Sequence, residues 1–144
     1  MGKMSSPRFF VGWIISAVLM YVLFYVFHGV LTNDLIKISM PTGVYLTVAG
    51  VVYLLLSFGM SVLLDASFFK KEVKNIYTRA FIMGPLVGIF LYAVALIVGV
   101  SFSAKFSMIN MLVDVTWQVF EQTVGIIVIA FVKVITFDPN EIEV

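Results

Sequence analysis

Residues 80–102 read AFIMGPLVGIFLYAVALIVGVSF, a stretch without a single charged side chain. An α-helix rises about 1.5 Å per residue, so roughly 20 apolar residues are enough to cross a hydrocarbon core about 30 Å thick. The polar segment 70–79 comes immediately before this stretch and would lie outside that core. The stretch therefore predicts a membrane-spanning helix.

Three further stretches of the chain meet the same requirements of length and polarity. They are residues 9–31, 43–69 and 108–132. Because the connections between the four stretches are short, consecutive helices are expected to be antiparallel neighbours. The predicted fold class is all-α: a polytopic membrane protein whose residues 1–144 form a single transmembrane domain, a four-helix up-down bundle.

The composition supports this class and excludes several functions. Hydrophobic residues make up 62% of the chain and charged residues only 12%, whereas soluble domains have about twice that charged share. The net charge of +1 provides no electrostatic basis for binding nucleic acid. The chain has no cysteine, which excludes thiolate catalysis and iron–sulfur ligation. With one histidine and no nucleotide, protease or hydrolase motif, we predict no catalytic residue, cofactor or metal site.

The distribution of basic residues predicts how the bundle is oriented. Seven of the nine lysines and arginines fall on the side of the termini and the 70–79 segment, and only Lys37 and Lys105 fall on the other. Loops rich in lysine and arginine stay in the cytoplasm. Both termini are therefore expected to be cytoplasmic. The seven residues are Lys3, Arg8, Lys70, Lys71, Lys74, Arg79 and Lys133.

The last predicted span contains polar residues where a membrane helix is normally apolar. Asp114, Gln118 and Glu121 are spaced i, i+4 and i+7, so they share one face of the helix. Glu121 falls close to the midpoint of the span, and Asp114 lies roughly 10 Å farther out. Ionisable groups at this depth are costly and mark candidate functional sites. The alternative interpretation is that Glu121 only links helices by hydrogen bonds.

Two other spans contain matching polar faces. The polar face of the first span has three residues. Its outer end lies near the depth of Asp114, which predicts a contact between His28 and Asp114. The same face places Tyr21 or Tyr25 within reach of Gln118 or Glu121. The polar face of the second span runs from the middle of the membrane to the cytoplasm. Its last residue, Asp65, could be part of a polar track or could simply reach water or Lys70. Together the faces predict a polar track suited to proton transfer. Their residues are Tyr21, Tyr25 and His28 in the first span and Tyr53, Ser57, Ser61 and Asp65 in the second.

Glycines in the third span predict a close helix contact. Gly84 and Gly88 form a GxxxG pattern, which lets two helix backbones approach each other in lipid. The contact could lie within the bundle or between two copies of the chain. The expected partners are accordingly the lipid bilayer and either a homo-oligomer or a larger membrane complex.

Three functions remain open on this sequence. The first is proton- or cation-linked transport through the polar track centred on Glu121. The alternative is an accessory or assembly subunit of a larger membrane complex, in which Glu121 and Gln118 would bond a partner helix. The third is a membrane enzyme acting on lipid or quinone, with His28, Asp114 and Glu121 as acid–base groups.

Two segments also show a resemblance to known proteins. Residues 27–31, Phe-His-Gly-Val-Leu, close the first span, and Trp117, Glu121 and Gly125 lie in the last. In these features the chain resembles a group of small, uncharacterised bacterial membrane proteins with four spans. The resemblance implies the same topology and a bacterial inner membrane, and it points to His28 and Glu121. It implies no activity.

Overall fold

The computed structural model describes residues 7–37, 40–98 and 107–135. Helices account for nearly all of these residues, and the described part of the chain contains no β-strand. Four of the helices are long. The elements are α1 (Pro7–Phe24), which continues as a π-helical segment (Tyr25–Leu31), a 3-10 turn (Asp34–Lys37), α2 (Thr42–Asp65), the short α3 (Ser67–Glu72), α4 (Ile76–Val98) and α5 (Met108–Ile135).

Four segments of the structure are long and apolar enough to cross a membrane, which indicates an integral membrane protein. The prediction of an all-helical chain with four such segments is confirmed. The surrounding membrane, the up-down order and the cytoplasmic position of the termini stay predictions. The four segments are Pro7–Leu31, Thr42–Asp65, Ile76–Ile97 and Met108–Ile135.

The second long helix is shorter than the predicted stretch 43–69. It ends at Asp65 because Ala66 adopts extended dihedral angles, φ −60° and ψ 129°, which cannot continue a helix. The chain then turns into α3, whose apolar residues Phe68 and Phe69 extended the predicted span. Hydropathy alone cannot detect this break, because the residues on both sides of it are apolar.

Helix α5 is the centre of the packing. It lies along α4 for most of its length and also packs on α1, and α1 packs on α2. By contrast, α2 and α4 contact each other at only a few points. Five large side chains at the centre of these contacts are at most 1% exposed: Met20, Met60, Leu64, Ile126 and Ile129.

The GxxxG glycines make the close contact within the chain. A Cβ atom on Gly84 would lie 2.5 Å from the Cα atom of Thr123, and one on Gly88 would lie 2.7 Å from the Cα atom of Val119. Both distances are well below the roughly 3.5–4.0 Å at which carbon atoms pack. Of the two alternatives left open above, the structure therefore shows the contact inside the bundle, between α4 and α5.

Candidate functional site

Glu121 lies near the middle of α5 and is enclosed by its own chain. The residue is 1% exposed, and its Oε1 accepts a hydrogen bond of 3.2 Å from the Nε2 of Gln122. The Tyr53 hydroxyl of α2 and the Trp117 indole approach the same carboxyl group. Among the described residues, no lysine, arginine or histidine forms an ion pair with Glu121. The carboxyl group is thus surrounded by uncharged polar groups.

The polar faces of α1 and α2 bond to helix backbones. Ser57 Oγ donates to the carbonyl oxygen of Trp13 at 2.7 Å, and Trp13 Nε1 donates to the carbonyl oxygen of Leu54 at 2.7 Å. The Tyr21 hydroxyl donates to the carbonyl oxygen of Leu46 at 3.2 Å. The expectation was that Tyr21 or Tyr25 reaches Gln118 or Glu121; the Tyr21 hydroxyl instead bonds α2, and Tyr25 is exposed. The Tyr21 hydroxyl joins α1 to α2 because that face of α1 packs against α2.

A hydrogen bond from a side chain to a backbone carbonyl oxygen also joins α1 to α5, and its donor was not among the predicted site residues. Ser16 is fully buried, and its Oγ donates to the carbonyl oxygen of Gly125 at 2.8 Å. A Cβ atom on Gly125 would overlap Met20, so the glycine allows the close approach that this bond requires. The signal available in the sequence was the pair Gly12 and Ser16, two small residues four positions apart on one helix face.

An ion pair lies where α2 and α5 both end. Lys133 Nζ is 2.6 Å from Asp65 Oδ2 and donates to the carbonyl oxygen of Ser61 at 3.3 Å. Lys70 Nζ is 3.5 Å from the other oxygen of Asp65. Asp65 is therefore held by two lysines, in agreement with the interpretation that it could reach Lys70. Lys133 was not among the predicted site residues because the predicted span ends at residue 132, whereas α5 continues to Ile135.

Arg79, near the start of α4, reaches the same end of the bundle. Its guanidinium donates from one Nη to the carbonyl oxygen of Leu64 at 3.1 Å, and the residue is only 6% exposed. The Nε atom makes no hydrogen bond within the part of the chain that the structure describes. The last carbonyl groups of α2 are thus bonded by cationic side chains from α4 and α5, the residues that suit a helix C-terminus.

His28 lies at the opposite end of α1, in the π-helical segment. Its Nδ1 is 3.5 Å from Asp34 Oδ2, and its ring packs against Phe24 and Phe27 at centroid distances of 5.1 and 5.0 Å. The predicted contact with Asp114 is replaced by this one. The π-helical segment ends at Leu31, and Asn33 adopts a positive φ of 54°, which turns the chain so that Asp34 comes back to His28.

The remaining predicted residues differ in how far they are buried. Tyr25 is 45% exposed and points away from the interior, whereas Ser61 is fully buried but its Oγ has no hydrogen-bond partner among the described residues. Asp114 and Gln118 are half-buried, and Asp114 lies within electrostatic range of Tyr92 on α4. Of the three residues of the predicted polar face on the first span, only His28 is buried; Tyr21 is partly buried and Tyr25 is exposed.

Apolar side chains separate Glu121 from the Asp65–Lys133 pair. Between Glu121 and Lys133 on α5 lie Ile126, Ile129 and Ala130, none of which is exposed. Toward the other end, Phe24 is 4% exposed and its ring packs 5.5 Å from that of Tyr53. The structure thus brings Tyr53, Gln122 and Glu121 together and does not join them to the Asp65–Lys133 pair. Toward His28, Tyr45 lies within electrostatic range of both Tyr53 and Asp34. Within the described ranges, no three acidic, histidine or cysteine residues are grouped as a metal site would require.

Comparison of the chain with models of protein families, with curated proteins and with solved structures finds no match. The resemblance to small four-span bacterial proteins therefore stays a prediction. Its two residues of interest, His28 and Glu121, are both buried, one beside Asp34 and the other beside Gln122. What the protein does has to be argued from this geometry.

Proposed function

We propose that the protein is an accessory or assembly subunit of a larger membrane complex. The observation that carries the proposal is the way the buried polar side chains are used. They donate to backbone carbonyl groups of neighbouring helices, as Ser16, Ser57 and Tyr21 do. In lipid, hydrogen bonds between helices and close packing of small residues hold a bundle together, because apolar burial no longer drives association. These residues are therefore suited to fixing one arrangement of the helices.

The enclosure of Glu121 favours this proposal over transport. A proton relay needs titratable side chains that follow one another within hydrogen-bonding distance. Here fully buried Ile126 and Ile129 lie between Glu121 and the Asp65–Lys133 pair. A carboxyl group that bonds its neighbour Gln122 and is 1% exposed is placed to stabilise the bundle.

The connections between the described helices also favour a subunit role. Residues 66–75 contain the six-residue α3 and many exposed polar side chains, and the described part of residues 32–41 contains the 3-10 turn Asp34–Lys37. The described residues of these two connections include no group of three acidic, histidine or cysteine side chains placed as a metal site would require. A chain built largely of helices long enough to span a membrane can act by packing against the helices of another membrane protein.

Purification from native membranes in a mild detergent, followed by native mass spectrometry, tests the proposal. We expect one complex of fixed stoichiometry that contains a second membrane protein. The variant Glu121→Gln should form the same complex, because an amide oxygen can accept the bond from Gln122 as the carboxyl oxygen does. A protein that is always recovered alone, under conditions in which other complexes of that membrane survive, would contradict the proposal.

Proton-linked transport is the second candidate, favoured by one observation. Glu121 has no cationic partner in the described part of the chain, and an enclosed carboxyl group is the kind of group that proton carriers use. Proton flux into liposomes that contain wild-type protein, compared with Glu121→Gln, distinguishes the two candidates. Flux that the variant abolishes would establish transport, and no flux in either protein would support the subunit role.

A further inference from the structure

A narrow apolar groove separates α2 from α4. Its volume is about 220 Å³, and its walls come from both helices and from α3. It exists because α4 packs along α5 and contacts α2 at only a few points. The residues that line it are Leu63, Phe69, Met83, Leu86, Val87 and Phe90.

One end of this groove is positively charged. Phe69 in its wall is followed by Lys70, and Leu63 is followed by Leu64, whose carbonyl oxygen accepts a bond from Arg79. Lys70 and Arg79 both lie within electrostatic range of Lys133, and Asp65 is the carboxylate that interacts with all three cations. Three cations and one anion leave a formal surplus of two positive charges at the basic end of the groove.

Lys70 is the most exposed of the three cations. The shortest contact of Asp65 is with Lys133, at 2.6 Å, while Lys70 is 3.5 Å away and its side chain is 42% exposed. Arg79 is 6% exposed and its Nε makes no hydrogen bond with the described residues. The Nε atom of Arg79 is buried, so Lys70 is the group that can donate to an anion arriving from outside the protein, and Arg79 adds positive charge behind it. A lysine ammonium group binds a phosphate group as a point charge.

We propose that the groove between α2 and α4 holds one acyl chain of an anionic phospholipid whose phosphate binds Lys70, close to the positive charges of Arg79 and Lys133. Basic pockets between membrane helices bind anionic headgroups, and here an apolar groove continues directly from the basic end. A partner helix is about 10 Å across and does not fit a groove of this volume, whereas a single hydrocarbon chain does. The inference does not depend on the subunit role proposed above.

Native mass spectrometry of the full-length protein from nanodiscs tests this inference. The probes are phosphatidylglycerol and phosphatidylcholine with identical acyl chains, offered in equal amounts. We expect one phosphatidylglycerol molecule to be retained per protein, with a preference of roughly tenfold over phosphatidylcholine. Equal retention of the two lipids would overturn the proposal.

A pair of charge variants tests the headgroup contact. Lys70→Gln removes the phosphate donor, and we expect retention of phosphatidylglycerol to fall by about fivefold to tenfold. Lys71→Gln is the matched control: it removes the same charge from the same short helix, at an exposed position that is not among the cations around Asp65. Equal losses in the two variants would show general attraction to an anionic surface and would overturn the specific site.

A pair of groove variants tests the acyl chain. Val87→Phe fills the groove, and Ile89→Phe adds the same volume to α4 outside it, at a position that is 54% exposed. We expect only Val87→Phe to release the lipid, with the helical content of both variants unchanged. If Val87→Phe retains the lipid, or if soluble phosphate displaces it completely, the basic end is an anion site and the acyl-chain proposal is wrong.

Discussion

Replacing Gly84 with alanine is expected to push α4 away from α5. The new Cβ atom would lie 2.5 Å from the Cα atom of Thr123 and 2.7 Å from the Oγ1 atom of the same residue. Rotation of a side chain cannot relieve the first of these contacts, because the obstructing atom belongs to the backbone. Relief requires a shift of about 1 Å, the difference from an ordinary carbon–carbon contact.

Such a shift affects far more than one contact. Since α4 has α5 as its main neighbour, moving the helix loosens most of the surface by which α4 is held. Added volume in a well-packed core costs about 1–3 kcal/mol. Because the clash is with backbone, we expect Gly84→Ala to lower the free energy of unfolding by about 2–3 kcal/mol, in the upper part of that range.

Gly59 in α2 offers a matched control. A Cβ atom there would meet nothing within 4 Å, so alanine adds no clash and gains helix propensity worth up to about 1 kcal/mol. Reversible unfolding in mixed micelles, followed by far-ultraviolet circular dichroism during titration with dodecyl sulfate, measures both variants against the wild type. If Gly84→Ala is as stable as Gly59→Ala, the claim that Gly84 allows the close packing of α4 on α5 is refuted.

Three further predictions use the same unfolding measurement. Ser57→Ala should cost about 0.5–1.5 kcal/mol, because the carbonyl group of Trp13 loses its donor; no loss would mean that this bond contributes nothing to the bundle. Asp65→Asn should lower the free energy of unfolding by about 1–2 kcal/mol, which is less than for a fully buried ion pair because Asp65 is 28% exposed. Adding Lys133→Met should recover part of this loss, and no recovery would argue against the ion pair as its cause. Tyr25→Phe should change stability by less than about 0.5 kcal/mol, since this side chain is 45% exposed, and a larger loss would indicate a contact with another molecule.

The spanning helices could be predicted from the sequence, because length and hydropathy are local properties of a segment. The stretch 80–102 and its three counterparts correspond to the long helices, with boundaries that differ by a few residues. The break at Ala66 was missed because it is a matter of backbone dihedral angles between two apolar segments. The residues 99–102 of the predicted third span lie outside the described residues.

The candidate site was predictable in its positions but not in its bonds. The i, i+4 spacing of Tyr53, Ser57 and Ser61 correctly placed all three on a buried face of α2. Their partners could not be foreseen, because every residue has a backbone carbonyl group and a sequence does not mark which one a neighbouring helix presents. The same applies to His28: the π-helical segment that turns the chain back to Asp34 has no distinct hydrophobic period.

The central position of α5 has a consequence for biosynthesis. Because α5 follows α4 in the chain, α4 is synthesised before the helix on which it packs. The carbonyl group of Ser61 at the end of α2 likewise gains its bond from Lys133 only once α5 exists. Before that point, α1 and α2 form the main interhelix pair among the described helices. The contacts that α5 makes with α1, α2 and α4 can therefore form only after its own synthesis.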